Sequence, residues 1–412
     1  MSKMLAATAV SRPAWDTLET FARTNVQGFI QQLLEDEVTA LLGRTKSARR
    51  TPLDAPPGSR NGHGTPRHLA LMNGTITVRR PRVRDLEDRF VSQLLPLFQR
   101  RTQEVSARLP ELYLHGLALG DFELALRGLL GDAALSASSL VRLKATWQAR
   151  YTAWQQRDLG GGRLVYLWAD GVYVKAGLDT SKAALLVLIG ADADGQKPAL
   201  AVTSGQREST ESWAAVLRDL KRRGLSAPKL TIADGHLGIW SALATVYPAS
   251  AEQRCWNHKL RNVLDPVPTK HQTEVKAALQ AIASADSERA ATAGRDAFAR
   301  TYRRAHPKAV ERLERDWPRM TADDAFATAH WKHLRTTNVI ESPFAAVRLR
   351  TSAARRFKQV ENATALIWKT LLVVEHHFRA LNAPHLCTTV YDGAIYRDGV
   401  REITPTRTLR AA

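Results

Sequence analysis

Two aspartates close short apolar runs. Leu230-Thr231-Ile232-Ala233 ends in Asp234-Gly235-His236, and Leu164-Val165-Tyr166-Leu167-Trp168-Ala169 ends in Asp170-Gly171. A β-rich run stopped by a breaker reads as a buried strand, so each carboxylate is expected at a strand tip. A rigid strand with an open end suits a metal ligand, although Asp-Gly after a strand is also ordinary turn chemistry. A third acid, Glu341, precedes Ser342-Pro343, an N-cap and N1 pair that puts it at a helix entrance. Cys255 and His258 stand three residues apart. A structural zinc site takes four ligands. His236, His330 and His333 supply no second pair of matching spacing, so no zinc is expected.

The elements that must position these residues follow from hydrophobic periodicity. After the strand to Asp170, Ala183 to Ile189 and Pro198 to Thr203 read as two more strands, joined at Asp194-Gly195. Asp192-x-Asp194-Gly195 carries a calcium-loop spacing, but no ligand set follows, so a turn is expected. Glu211 to Arg223 is helical, Trp213, Val216, Leu217 and Leu220 sharing one face. The strand to Asp234 comes next, then a helix from Gly238 to Tyr247, stopped by Pro248. Three strands, a helix, a strand and a helix match an α/β ribonuclease H-like core. In that fold the first and fourth strands are neighbours, which would bring Asp170 and Asp234 together. Beyond Asn262, Lys270 to Ala285, Ser287 to Tyr302 and Pro307 to Trp317 are rich in Ala, Arg and Glu and read as an all-helical insertion. Trp317 there is expected in the core rather than stacked on a base.

The core is preceded by mainly helical N-terminal regions read as DNA-binding. Residues 14–43 have helical periodicity and suit packing or self-association. From Arg44 to Arg84 ten Lys/Arg stand against one acid, Asp54. Gly, Pro and Asn make much of this stretch a loop or arm, with Thr75–Val78 a candidate strand. Arg79, Arg80, Arg82 and Arg84 at its end suit phosphate contact. Helices are expected at Leu109 to Gly116, Asp121 to Leu130 and Ser136 to Trp147. The Gly131-Asp132 turn between the last two fits a helix-turn-helix or any αα-hairpin. Leu159 to Gly162 reads as a linker.

The expected domains are 1–104, helical region and basic arm; 105–160, helix-turn-helix-like region and linker; 161–252, first part of the core; 253–333, helical insertion; 334–380, core completion with the Glu341 helix; and 381–412, a tail. The net charge of +19 over 412 residues points to a polyanion, most simply nucleic acid. Two cysteines argue against a disulfide framework, and no apolar run is long enough to cross a membrane. A cytoplasmic, nucleoid-associated protein is expected.

Several blocks together resemble the Mutator-like family of bacterial insertion-sequence transposases, within the DDE superfamily. They are Arg60-Asn61-Gly62, Asp170 with Val172 to Lys175, Glu211-Ser212-Trp213 through Asp219-Leu220-Lys221, and Ile232 to His236. The more specific ones are Gln253 to Leu264 and Thr336-Thr337-Asn338-x-Ile340-Glu341-Ser342. The resemblance implies a catalytic and metal-binding triad of Asp170, Asp234 and Glu341. It also makes Cys255 and His258 a C-x-x-H active-site element. Pro343 stands where that family more often has Leu. The resemblance implies two Mg²⁺ ions, replaceable by Mn²⁺, serving hydrolysis and strand transfer. The implied partners are double-stranded DNA, as terminal inverted repeats and target, and a second copy of the chain in a homodimer. Arg254, Arg348 and Arg350 join the candidate DNA contacts. The competing readings are a ribonuclease H-like nuclease without strand transfer and a DNA-binding regulator.

Overall fold

The computed structural model describes residues 17–48, 56–96, 99–115, 137–176, 182–205, 209–235, 237–354, 357 and 359–402. The chain divides into two compact units, Met1–Tyr113 with Leu117–Val141, and Leu114–Gly116 with Arg142–Ala412. The expected helix from Asp121 to Leu130 and the turn after it lie outside the described residues.

In the first unit, helix α1 (Leu18–Leu42) ends on Gly43, whose φ of +63° gives a left-handed cap. Strands β1 (Ser59–His63), β2 (Arg67–Leu71), β3 (Gly74–Val78) and β4 (Pro81–Arg84) follow. They form two antiparallel pairs, β1 with β4 and β2 with β3. The stretch read as a loop or arm is therefore β-ribbon from Ser59 onward. Its inward residues Leu69, Ile76 and Val78 pack with Leu34 of α1, and along β3 Ile76 and Val78 alternate with Thr75 and Thr77. Gln31 seals the join by accepting from the Arg79 amide at 2.9 Å and donating to its carbonyl at 2.8 Å. Helix α2 (Gln103–Leu114) then covers part of the expected 109–116 segment.

The second unit is built on a five-stranded mixed sheet. Helix α3 (Ala137–Gln155) leads into it and is fixed where the Tyr151 hydroxyl donates to the Val202 carbonyl at 2.6 Å. The strands are β5 (Leu164–Lys175), β6 (Lys182–Asp192), β7 (Ala199–Gly205), β8 (Leu230–Ala233) and β9 (Ala251–Arg254), in the order β7-β6-β5-β8-β9. β5, β6 and β7 are antiparallel, whereas β8 and β9 run parallel to β5. The turn at Asp192 to Gly195 is fixed by the Asp192 carboxylate, which accepts from the Asp194 and Gln196 amides. Helices α4 (Thr210–Arg222) and α5 (Leu237–Val246) bury Trp213, Leu217, Leu220 and Leu243 against Leu167, Ala169, Leu186 and Leu188 on one sheet face. Ser209 caps α4 by accepting from the Ser212 amide. Residues 159–162 lie within this unit rather than between the two. The Leu159 amide donates to the Arg223 carbonyl, and a Cβ on Gly224 would stand 2.7 Å from the Gly160 nitrogen.

Past β9 the chain is helical: α6 (Trp256–Leu264), α7 (Thr269–Ala283), α8 (Glu288–Tyr302) and α9 (Pro307–Glu314). They share a core of Val263, Val275, Leu279, Phe298, Val310 and Leu313. Trp317 belongs to it, 8% exposed and edge-on to Trp256 at 6.1 Å. Short turns lead to α10 (Trp331–Leu334), α11 (Asn338–Glu341), α12 (Phe344–Ala354) and α13 (Val360–Glu375). A last helix, α14 (His385–Tyr391), and a two-stranded ribbon of β10 (Tyr396–Arg397) and β11 (Val400–Arg401) follow. Among the described residues no helix is long and apolar enough to cross a membrane.

Candidate active site

The register of β5 and β8 sets the site. Ala169 stands opposite Ala233 in the parallel ladder, so Asp170, inside β5, lies beside Asp234, the residue that follows β8. Asp170 pairs with Val187 of β6 and β5 runs on to Lys175, so Asp170 is not at the strand tip where it is expected. Both carboxylates are half-buried. By the two-residue period of a strand, Tyr166, Trp168 and Asp170 share the face opposite α4 and α5. On that face Tyr166 stands 2.8 Å from His330 Nδ1, and Trp168 Nε1 donates to the His333 carbonyl at 3.0 Å. These two contacts hold the segment before α11 over the sheet. Helix α11 itself packs on β5 and β6. Glu341, its last residue, is half-buried.

Ser342 differs from its expected role. Its φ of −59° and ψ of −51° are helical, so it is not an extended N-cap. Glu341 closes a one-turn helix begun at Thr337, and the chain continues through Pro343 into α12.

Glu341 is held by Thr337, with His258 beside it. Thr337 Oγ1 lies 2.5 Å from Glu341 Oε1 and 3.2 Å from Cys255 Sγ. A hydroxyl has one proton, and the carboxylate is the stronger acceptor, so Thr337 donates to Glu341. His258 Nδ1 stands 3.7 Å from the same oxygen. Burial pushes the His258 imidazole down, against the raising pull of the Asp234 and Glu341 carboxylates. The neutral ring therefore lies within the field of both acids. Cys255 is fully buried; burial pushes its thiol up, and its sulfur accepts from the Thr337 amide at 3.3 Å. Cys255, His258 and Glu341 thus form one group, their ligand atoms all within 4.8 Å of one another.

β9 carries the Cys255 end of this group to the sheet. The Cys255 amide donates to the Ala233 carbonyl at 2.8 Å, and the Trp256 amide to the Arg335 carbonyl at 2.8 Å. The Arg335 guanidinium is spread over Asp323 Oδ2 at 2.6 Å and the Ala283 and Ala285 carbonyls at 3.1 and 2.9 Å. It therefore ties the end of α7 to the segment that enters α11.

The arginines expected to contact DNA separate into two groups. Arg79, Arg82, Arg84 and Arg348 are exposed, and Arg80 is half-buried. Arg254 and Arg350 are 8% and 3% exposed, which corrects their expected placement on a binding surface. Arg254 is drawn inside by Asp316, whose Oδ2 lies 2.9 Å from its Nη1. Arg350 points from α12 into the packed side of that helix, beside Val347. Sequence reasoning does not single out Thr337 and Arg335 as site residues. The Thr337–Glu341 spacing of one helical turn is the available signal.

The carboxylates thus gather at the central β5–β8 pair of a mixed sheet, an all-oxygen donor set of the kind hard cations take. Comparison with known proteins gives the family. The model described as "Transposase, Mutator family" matches residues 2–380. A transposase for insertion sequence element IS6120 of Mycolicibacterium smegmatis is 44% identical over 72% of this chain and 92% of its own length. A transposase for element IST2 of Acidithiobacillus ferrooxidans is 40% identical over 67% and 94%. One for element ISRM5 of Rhizobium meliloti is 31% identical over 86% and 87%. The chain belongs to the Mutator family of transposases.

Proposed function

We propose that this protein hydrolyses a DNA strand at each end of an insertion sequence and joins the freed 3′-hydroxyl to target DNA. The observation that carries the reading is the register that sets Asp170 beside Asp234, with Glu341 over the same sheet. The strand order, with the first strand flanked by the second and the fourth, supports a ribonuclease H-like core interrupted by helices α6 to α9.

The donor set fits hard divalent cations. Asp170, Asp234 and Glu341 offer only carboxylate oxygens, and each is partly open to solvent. They would hold two Mg²⁺ ions, with Mn²⁺ able to substitute. Such ions, when bound, neutralise charge on the attacking and leaving oxygens of an in-line displacement. The chain's own groups do the rest. Thr337 holds Glu341 through its hydroxyl, and His258 stands beside the same oxygen. The neutral imidazole of His258 is placed to hydrogen-bond a phosphate oxygen or a water. No structural zinc is assigned to Cys255, His258 and Glu341, because their three donors are one fewer than a closed structural site takes.

The exposed Arg79, Arg82 and Arg84, with Arg80 beside them, are the proposed contacts to terminal inverted repeats, and Arg348 to DNA at the site. Leu18, Phe21 and Phe29 are exposed on one face of α1, and we assign that face to a homodimer acting at the nucleoid.

Purified protein would be incubated with Mg²⁺ and a plasmid carrying the DNA segments that flank its reading frame. Joined products with 3′-ends linked to target DNA are expected. Cleaved ends that never join would favour the nuclease reading. Tight binding without cleavage would favour the regulator.

A further inference from the structure

Strand β8 ends at Ala233, and the last ladder pair there is Ala233 with Arg254. Asp234 therefore stands one residue beyond the sheet's regular hydrogen bonding. Its backbone is held by a side chain instead. Arg254 Nε donates to the Asp234 carbonyl at 3.3 Å, and Nη1 of the same guanidinium donates to Asp316 Oδ2 at 2.9 Å. The guanidinium lies across Gly235. A Cβ on Gly235 would stand 2.2 Å from Arg254 Nε, and the Gly235 φ of +103° disfavours any side chain. Glycine here makes room for the arginine as well as for the turn.

Asp316 comes from the end of the helical segment and is itself fixed. Its backbone is left-handed, with φ +63°, and its other oxygen accepts from Arg319 Nη1 at 3.4 Å. Arg319 in turn pairs with Glu252 on β9. One guanidinium thus joins the tip of β8, the tip of β9 and the end of the helical segment. The Asp234 carbonyl belongs to the peptide that leads into Gly235, so fixing it fixes the direction in which the Asp234 carboxylate leaves the chain.

We propose that Arg254 is a positioning residue for Asp234, held from its far side by Asp316, rather than a contact to DNA phosphate. This rests on the proposed catalytic role of Asp234. Removing the guanidinium would leave the strand tip free to rotate, and a displacement of about 1 Å at a reacting centre lowers rates by about 10²-fold.

The test compares Arg254→Gln, Arg254→Lys, Asp316→Asn, the double variant Arg254→Gln with Asp316→Asn, and Asp234→Asn. Each is assayed on the flank-bearing plasmid, for cleavage rate at saturating protein, for DNA affinity against salt, and for thermal midpoint. Arg254→Gln is expected to slow cleavage by about 10²-fold with affinity and salt slope unchanged. Arg254→Lys should recover part of that rate, since an ammonium reaches the carbonyl or the carboxylate but not both. Asp316→Asn, which keeps the shape of a half-buried group, should slow the same step by a smaller factor. The double variant should be no slower than Arg254→Gln alone, because both act through one contact.

A salt slope reduced by about 0.9 with the saturated rate intact would make Arg254 a phosphate contact and overturn the proposal. Multiplying effects in the double variant would overturn it too. So would a rate loss in Arg254→Gln that disappears below its lowered thermal midpoint. Should Asp234→Asn cleave normally, the proposed active site itself fails. Normal Asp234 dependence with a normal Arg254→Gln rate would sink the positioning role alone.

Discussion

Thr337 shows what a single side chain does in this site. Its hydroxyl is 2.5 Å from Glu341, and its amide donates to the buried Cys255 sulfur. A hydrogen bond to a charged group contributes about 1.5–3 kcal/mol. Thr337→Val is therefore expected to slow cleavage by roughly 10- to 100-fold, while Thr337→Ser should keep most of the rate. Single-turnover cleavage of end-bearing DNA checks this, and equal losses in both variants would contradict it. His258→Ala should also lose more cleavage than its thermal midpoint accounts for. Cys255→Ser should be milder, because the sulfur serves mainly as packing and as an acceptor. Sequence spacing singles out Asp170 and Asp234 because each follows an apolar run, and Glu341 because Ser342-Pro343 follows it, although Ser342 proves helical rather than a cap. It does not reveal that Arg254 and Arg350 turn inward. Basic residues look alike in a chain, and only the position of Asp316 after a helical excursion decides where Arg254 points.

At the scale of elements, Arg335 and the acids under it form the second tie between the helical segment and the sheet. Asp323 is 1% exposed and pairs with Arg335 at 2.6 Å. Breaking a buried pair leaves an uncompensated charge and costs about 3–5 kcal/mol, so Arg335→Gln is expected to lower the thermal midpoint sharply. Burial, with Asp323 beside it, pushes Asp324 up to about 7. The sign follows: a carboxyl raised in the fold favours the neutral form. Its stabilising contribution is full below the unfolded value of about 3.9 and is lost as pH rises through about 7. Asp324→Asn should therefore melt higher than the parent at pH 8, with the difference closing toward pH 4. Each kcal/mol corresponds to roughly 2–4 °C in a domain near this size. A constant difference across that range would count against the assignment. β5 to β8 are legible in the sequence because they are long or strongly apolar. β9, Ala-Glu-Gln-Arg, is not: it is a four-residue edge strand, and its pattern carries no apolar run. β1, β2 and β4 are hidden for a related reason. Their Arg, Gly and Pro content reads as loop, and the apolar partner that orders the region is α1, which precedes them in the chain.

At the scale of the whole molecule, the proposed function gives DNA binding to the exposed arginines and cleavage to the carboxylate site. Neutralising Arg79, Arg82 and Arg84 is expected to weaken DNA binding uniformly across sequences and to flatten its salt dependence, by about 0.9 in the log–log slope for each phosphate that is no longer neutralised. The cleavage rate at saturating protein should stay near the parent's, and an unchanged slope would show these arginines to be merely solvated. The central claim is that three carboxylates, one inside β5, one at the tip of β8 and one on a short helix, act as a single site. The most direct measurement is single-turnover cleavage of end-bearing DNA in Mg²⁺ by Asp170→Asn, Asp234→Asn and Glu341→Gln, each checked for parental DNA affinity and thermal midpoint. Each variant is expected to lose roughly 10³-fold or more in rate while binding DNA as the parent does. Near-parental cleavage by any one of the three would contradict the account.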